Sequence, residues 1–140
     1  MKIYVSFPMT QAHVEDRQLA DAVIHILRGR GIEHYDPRTE PLDQSMEEIQ
    51  VWDFDQMSCC IGLLCVWSES APTSGGMMAE IEWARRIFGQ RIAIYRPNPN
   101  VPISAWTKES ARGKIFQQLD QALEELGILS EFKAKEPAHV

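Results

Sequence analysis

Cysteine is scarce in this sequence, and long apolar runs are absent. Three of the 140 residues are cysteines; Cys59 and Cys60 are adjacent and Cys65 stands alone. This pattern excludes a zinc site built from paired Cys-x-x-Cys clusters and excludes a disulfide framework, and it favours reduced thiols. No apolar run reaches the roughly 18 residues that a membrane span needs, and residues 1–5 lack the apolar core of a signal peptide. We therefore expect a cytoplasmic protein without a membrane partner.

Positive charge is also in short supply. The chain has 14 Lys and Arg against 20 Asp and Glu, a net charge of −6 at pH 7. A protein that coats a nucleic-acid polymer needs clustered cations, so this partner is not expected. A single small phosphate needs only a few backbone amides and stays possible. With 44% apolar and 24% charged residues, the composition predicts one globular domain over 1–130 and a loose tail over 131–140.

Short apolar runs alternate with amphipathic stretches along the chain. The pattern predicts strands at 3–6, 32–35, 60–66 and 91–95, helices at about 14–30, 46–57 and 77–88, and a last helix marked by Ile115, Leu119, Leu123 and Leu126. Such alternation is typical of an α/β fold, here a doubly wound, flavodoxin-like parallel sheet of about four to five strands flanked by helices. Ligands of these sheets bind beyond the carboxyl ends of the strands, which directs attention to the loops 6–13, 36–45, 67–76 and 96–106.

One of these loops carries a distinctive motif, in which Ser74, Gly75 and Gly76 run straight into a helix that contains Glu80. Glycines let a ligand approach the backbone, and free amides at a helix start attract an anion. Glu80 is about one turn inside the helix and can point back toward the loop. A purely structural alternative is that Ser74 caps the helix and Glu80 interacts favourably with the helix dipole.

The spacing Ser-x-Gly-x-x-x-Glu resembles that of the nucleoside 2-deoxyribosyltransferase superfamily, and the likeness extends over roughly residues 1–110. The opening stretch 2–10 resembles the family's first strand and loop, with Tyr4 in the strand. The stretch 91–97 and the later Ser104-Ala105 resemble the fourth strand, Arg-Pro turn and Ser-Ala motif of the superfamily's nucleotide hydrolases. The resemblance implies that Glu80 is a nucleophile, held in place by Tyr4, that forms a glycosyl ester with the sugar.

Departure of the base requires a second acidic group, and Asp53 and Asp55 compete for this role. Asp53 lies four residues after Ile49 and shares the apolar stripe with Met46 and Met57, whereas Asp55 falls on the opposite face. We therefore favour Asp53, with a salt bridge to a nearby Arg as the structural alternative. The family usually has another Asp at the start of its third strand, where this chain has Cys59 and Cys60.

The residue six positions before the nucleophile separates two substrate classes. The resemblance implies that an Asp there accepts the 5′-hydroxyl of a nucleoside, whereas a Ser there, as in Ser74, donates to a 5′-phosphate. A carboxylate would repel the phosphate. Gly75 and Gly76 then contribute backbone amides, and Ser104 reaches the phosphate in a neighbouring subunit, so a homodimer is expected. A helix N-cap is the alternative role of Ser104.

The first loop departs from the hydrolases because it lacks their Arg. The remaining candidate cations are Arg17, Arg38, Arg96 and Lys108, and the sequence does not choose among them. Residues of the first two loops and the second helix are the candidates for contacts with base and sugar: Ser6, Phe7, Met9, His34, Asp36 and Trp52. His34 also fits an ordinary surface histidine, and Trp67 and Trp106 either stack on a base or line the cleft.

The leading hypothesis is a nucleoside 5′-monophosphate N-glycosidase that needs neither metal nor cofactor. The alternatives are a nucleoside 2-deoxyribosyltransferase, an NAD glycohydrolase and a catalytically inactive nucleotide-binding module. The last is motivated by the missing Arg and the missing strand-start Asp. The base, and the choice between ribose and deoxyribose, stay open.

Overall fold

Five short apolar strands form one parallel sheet in the computed structural model, which describes residues 2–9, 12–39 and 43–128. The strands are β1 (Ile3–Ser6), β2 (His34–Tyr35), β3 (Gly62–Val66), β4 (Arg91–Tyr95) and β5 (Ile115–Phe116). Their spatial order is β2-β1-β3-β4-β5, and every neighbouring pair is parallel. This confirms the predicted flavodoxin-like α/β fold, in which the order of the strands reverses between β1 and β3. The tail predicted over 131–140 lies outside the described residues.

Helices connect the strands and cover both faces of the sheet. They are α1 (Val14–Gly29), α2 (Met46–Ser58), α3 (Gly75–Glu82), α4 (Ala105–Ser110) and α5 (Leu119–Glu125). The third begins two residues earlier than predicted and continues after Glu82 as a π-helical turn over Trp83–Ile87. None of the helices in the described ranges has the length and apolar character of a bilayer-spanning segment.

Strand alternation divides the core into two layers. Ile3 and Val5 of β1 pack toward α1 and α5, in one cluster with Val23 and Leu123. Tyr4 packs on the other face, with buried side chains of α2 and α3. Since successive side chains of a strand point to opposite faces, Ser6 shares the face of Tyr4. The carboxyl end of β1 therefore presents two polar side chains to the α2–α3 layer.

Two sequence predictions were wrong in detail. Ile115 belongs to the edge strand β5, where it pairs with Ile94, and not to the last helix. The turn before β5 has positive φ at Arg112 and Gly113, and a two-residue strand is too short to show an alternating pattern. Met46 does not share the buried stripe of α2: it is 68% exposed, whereas Met57 is fully buried.

Gly62 and Gly29 provide a matched test of the packing. A Cβ at Gly62 would lie 2.9 Å from Leu126 Cδ2 and 3.3 Å from the Arg91 carbonyl oxygen, whereas a Cβ at Gly29 would meet nothing within 4 Å. We expect Gly62→Ala to lower the free energy of unfolding by about 1–3 kcal/mol through overpacking. Gly29→Ala should raise it by about 0.5–1 kcal/mol through helix propensity. Urea denaturation measures both, and equal effects of the two substitutions would contradict this packing.

Candidate active site

Glu80 is a buried carboxylate beside β1 and β3, between which the order of the strands in the sheet reverses. It is 8% exposed and lies on α3, and the Ser6 hydroxyl donates a 2.7 Å hydrogen bond to its Oε1. Ser6 is the last residue of β1, next to β3, so the pair lies at the crevice where ligands of doubly wound sheets bind. Ser6 was predicted to contact base or sugar; the structure places its hydroxyl directly on the candidate nucleophile.

Tyr4 approaches the same carboxyl group from two residues earlier on β1. Its hydroxyl is buried without a hydrogen bond of ordinary geometry, yet it is close enough to Glu80 to influence that group's ionisation. Burial, together with the negative charge of Glu80, raises the pKa of Tyr4 far above its ordinary value. The phenol is therefore protonated at any working pH and remains available as a donor.

The environment of Glu80 favours its neutral form. Burial is the largest influence and raises the pKa of Glu80 to about 7; the Tyr4 and Ser6 hydroxyls lower it, and the charge of Asp53 raises it. A carboxyl group of this kind is a candidate for chemistry, since it changes protonation state near neutral pH.

Asp53 belongs to a short chain of polar side chains on the α2 side of the crevice. Trp52 Nε1 donates to the Tyr35 hydroxyl at 3.0 Å, and this hydroxyl donates to Asp53 Oδ1 at 3.1 Å. Asp53 is half-buried and Asp55 is exposed. The partner of Asp53 is a tyrosine, not the arginine considered as an alternative. Tyr35 was not among the site residues predicted from the sequence. Its ring centroid lies 5.2 Å from that of Tyr4.

Ser74 is the N-cap that precedes α3, and its contact with a phosphate stays a prediction. Its Oγ accepts a 3.3 Å hydrogen bond from the Met77 amide, which makes it the N-cap, and its O–H is left to donate elsewhere. The amides of Gly75 and Gly76 are among the first four of the helix, which have no intrahelical acceptor. A Cβ at either glycine would meet nothing within 4 Å, so the space beside both is open.

Ser104 caps α4 in a similar way. Its Oγ accepts from the Thr107 amide at 3.1 Å, and the Thr107 hydroxyl reaches Met78 Sδ of α3 at 3.6 Å. The capping alternative therefore describes Ser104 within one copy of the chain. Its predicted role in a neighbouring subunit stays a prediction.

A cavity of about 360 Å³ lies between the first loop and α1. Phe7 and Met9, both predicted to contact substrate, line it, together with Arg17 and Arg38. The structure thus brings two of the four candidate cations to the first loop. Arg96 instead binds the carbonyl oxygens of its own loop, at Val101 and Pro99, and Lys108 is exposed on α4.

Arg38 is strongly anchored at this cavity. It pairs with Asp36 at 3.0 Å and with Asp21 at 2.6 Å, and its guanidinium lies 5.1 Å above the Phe7 ring. Asp36 is buried, and both of its carboxylate oxygens accept hydrogen bonds from Arg38.

His34 and Trp67, which the sequence also offered as candidates for contact with substrate, both lie within hydrogen-bond distance of a backbone carbonyl oxygen. His34 Nδ1 lies 2.8 Å from the Ile32 carbonyl oxygen. Trp67 is buried, and its Nε1 donates to the Pro102 carbonyl at 2.9 Å, so it does not offer a face for stacking.

Asp16 is a site residue that sequence reasoning missed. This buried carboxylate of α1 accepts hydrogen bonds from the Ser68 hydroxyl (2.5 Å), the Ser70 hydroxyl (2.7 Å), the Ser70 amide (3.0 Å) and the His13 amide (2.7 Å). It therefore caps α1 and fixes the loop that leads from β3 to Ser74. Although burial opposes ionisation, these hydrogen bonds outweigh it and lower the pKa of Asp16. The serines lie more than 50 positions along the chain, so no local pattern could have revealed the contact.

Solved structures of other proteins are similar to this fold. The chain shares its fold with 2-deoxyribosyltransferases. The enzyme of the psychrotolerant bacterium Bacillus psychrosaccharolyticus is 19% identical over 79% of this chain and 82% of its own, with a TM-score of 0.63. The enzyme of Leishmania mexicana is 11% identical over 97% of this chain and 99% of its own, with a TM-score of 0.62. No protein-family model and no curated protein sequence matches the chain.

Within this deoxyribosyltransferase fold, the described residues contain no group of three His, Cys, Asp or Glu side chains that could hold a metal ion. The polar groups at the crevice are carboxyls, hydroxyls and amides. Their arrangement suits a reaction carried by a nucleophilic carboxylate and proton donors.

The raised pKa of Glu80 predicts how stability depends on pH. In the unfolded chain Glu80 ionises near its ordinary value of 4.5, and in the folded protein at about 7. Stability is therefore lost as pH rises between these values. By urea denaturation, we expect the free energy of unfolding of Glu80→Gln to exceed that of the wild type at pH 8 by an amount on the order of 3 kcal/mol. Near pH 4.5 the two free energies should be equal. The exposed Glu47→Gln is the control; parallel pH profiles of wild type and Glu80→Gln would contradict the assignment.

Asp16→Asn should loosen the loop before Ser74. The amide cannot accept as many hydrogen bonds, so we expect a loss of roughly 2 kcal/mol of stability at pH 7. Amide exchange over residues 68–74 should become faster. Because the pKa of Asp16 is lowered, the stability difference should shrink as pH falls below about 4. Glu15→Gln, at an exposed position of the same helix, should change neither the stability nor the amide exchange. Unchanged exchange over residues 68–74 in Asp16→Asn would contradict the anchoring of this loop by Asp16.

Proposed function

We propose that the protein cleaves the N-glycosidic bond of a nucleoside 5′-monophosphate and releases a free base and a (deoxy)ribose 5-phosphate. The observation that carries the proposal is the buried Glu80, which Ser6 binds at 2.7 Å at the switch point of the sheet. The open helix start at Ser74 lies six residues before it and supports a phosphate-bearing substrate.

The proposed chemistry has two steps. A Glu80 carboxylate oxygen attacks C1′ of the sugar while the bond from C1′ to the base nitrogen breaks, and the base takes up the bonding electrons and a proton. Water then attacks C1′ of the glycosyl ester and gives up a proton to the group that protonated the base, and Glu80 leaves as a carboxylate. This double displacement divides one difficult substitution into two easier ones.

The neighbours of Glu80 have separate tasks in this proposal. The hydroxyls of Tyr4 and Ser6 orient the carboxylate, since both influence it as donors. Asp53 supplies the second carboxyl group, and its bond to Tyr35 fixes its orientation. Departure of the base depends on such a proton source near the leaving nitrogen.

The phosphate would be held by the O–H of Ser74 and the amides of Gly75 and Gly76. Arg17 and Arg38, which line the cavity at the first loop, are the candidate cations. We extend the proposal to a homodimer in which Ser104 of each copy reaches the phosphate bound by the other. The base and the sugar type are left open.

A second candidate function is base exchange by a nucleoside 2-deoxyribosyltransferase. The observation that favours it is that both structural relatives described above carry this name. In that reaction a second base, in place of water, attacks the glycosyl ester, and the substrate needs no phosphate. The two functions share Glu80 and differ in what Ser74 binds.

Release of free base tests the leading proposal. We expect at least one of the common ribo- and deoxyribonucleoside 5′-monophosphates, or a base-modified analogue, to yield free base by liquid chromatography. Glu80→Ala should reduce turnover by at least about a thousandfold and retain nucleotide binding. Glu82→Gln, on the same helix, should remain active. Nucleotide binding without turnover of any substrate would point to a binding module, and base exchange on deoxynucleosides alone would select the transferase.

Ser74→Asp tests the choice between phosphate and hydroxyl. Asp is as good an N-cap as Ser, so the helix start is preserved while a negative charge is added. We expect the KM for the nucleotide to rise by roughly tenfold or more, with a smaller effect on the corresponding nucleoside. Ser74→Asn is the control, because it caps the helix without charge. Equal changes for Asp and Asn would contradict a phosphate at this position.

A further inference from the structure

A second cavity lies at the opposite edge of the sheet. It has a volume of about 260 Å³ and is lined by residues around the beginning of β4 and the ends of α4 and α5, among them Arg85, Arg91, Arg112, Lys114 and Glu125. β4 runs from Arg91 at this cavity to Tyr95 at the carboxyl edge, a distance of about 13 Å along the strand. The cavity is therefore distinct from the site around Glu80.

The lining of this cavity is strongly cationic. It gathers four of the chain's 14 basic residues with one acidic residue, in a protein whose net charge is −6. Lys114 lies 3.7 Å from Glu125, which compensates one positive charge. Local excess charge of one sign within a concave surface concentrates ions of the other sign.

The hydrogen bonds that these arginines make within the fold use only a few of their N–H donors. Arg85 donates to the Glu109 carbonyl oxygen at 3.4 Å and Arg91 to that of Glu125 at 3.3 Å, so each caps a helix end. A guanidinium has five N–H donors, and one long bond leaves most of them available. The Arg112 side chain makes no hydrogen bond or ion pair with the part of the chain that the structure describes.

Arg112 also occupies an unusual backbone position. Its φ is 53°, a conformation that a side-chain-bearing residue adopts at a cost and that glycine adopts freely. The fold thus holds an unpaired guanidinium beside the cavity where glycine would be the more stable choice. Strain of this kind is a reason to look for a function at the residue.

We propose that this cavity binds a small, multiply charged phosphate compound, such as pyrophosphate or a sugar phosphate. Guanidinium groups match phosphate oxygens in geometry and charge, and three uncompensated cations suit a ligand with two or three negative charges. The volume is below that of ordinary pockets for larger organic ligands, which favours a compact anion over a whole nucleotide.

Isothermal titration with pyrophosphate, in the absence of divalent metal, tests the proposal. We expect saturable binding that weakens by about tenfold or more in Arg112→Gly and in Lys114→Gln. Arg112→Gly relieves the positive φ, so the variant should fold at least as well as the wild type and the loss is attributable to the guanidinium.

Two controls locate the binding. Arg28→Gly removes the same side chain from an exposed position of α1 that does not line the cavity, and it should leave affinity unchanged. Ser74→Asp alters the other candidate phosphate site and should also leave it unchanged. Absence of pyrophosphate binding up to about 10 mM, equal losses in Arg28→Gly, or loss in Ser74→Asp alone would overturn the proposal.

Discussion

The 2.7 Å hydrogen bond from Ser6 to Glu80 is the contact on which the candidate site depends. It joins the carboxyl end of β1 to α3 at the place where the sheet order reverses, and it holds a carboxyl group that burial would otherwise leave without a partner. Tyr4 reaches the same group because a strand returns to the same face every second residue. The fold thus confines Glu80 between two donors, with limited access to solvent.

Two buried carboxylates show how differently one fold treats the same chemical group. Asp16 accepts four hydrogen bonds, which lower its pKa and make it an anchor for the loop before Ser74. Glu80 has one well-formed hydrogen bond, and burial raises its pKa to about 7. A fully bonded carboxylate is stable and unreactive, whereas an under-bonded one retains lone pairs for an electrophile. This contrast is the physical basis for assigning a structural role to the first and a chemical role to the second.

The elements that the sequence predicted well are those with a strong local pattern. The bounds of β1 and β4 agree with the apolar runs, and the position of Glu80 about one turn inside α3 agrees with the small-residue loop that precedes this helix. The short edge strand β5 was missed because two residues carry no periodicity. The Tyr35–Asp53 hydrogen bond and the hydrogen bonds of Asp16 with Ser68 and Ser70 were missed because they join distant parts of the chain, which a single sequence does not reveal. Ser6 could have been placed, since its two-residue spacing from Tyr4 fixes its face.

The central claim is that Glu80 becomes covalently attached to the sugar of a nucleotide. Rapid acid quenching during turnover, followed by proteolysis and mass spectrometry, tests this most directly. We predict that the peptide containing Glu80 gains the mass of one sugar phosphate residue, and that fragmentation places the added mass on Glu80. Base release with an unmodified Glu80 peptide at every quench time, or with the label on another carboxyl group such as Asp53, would contradict it.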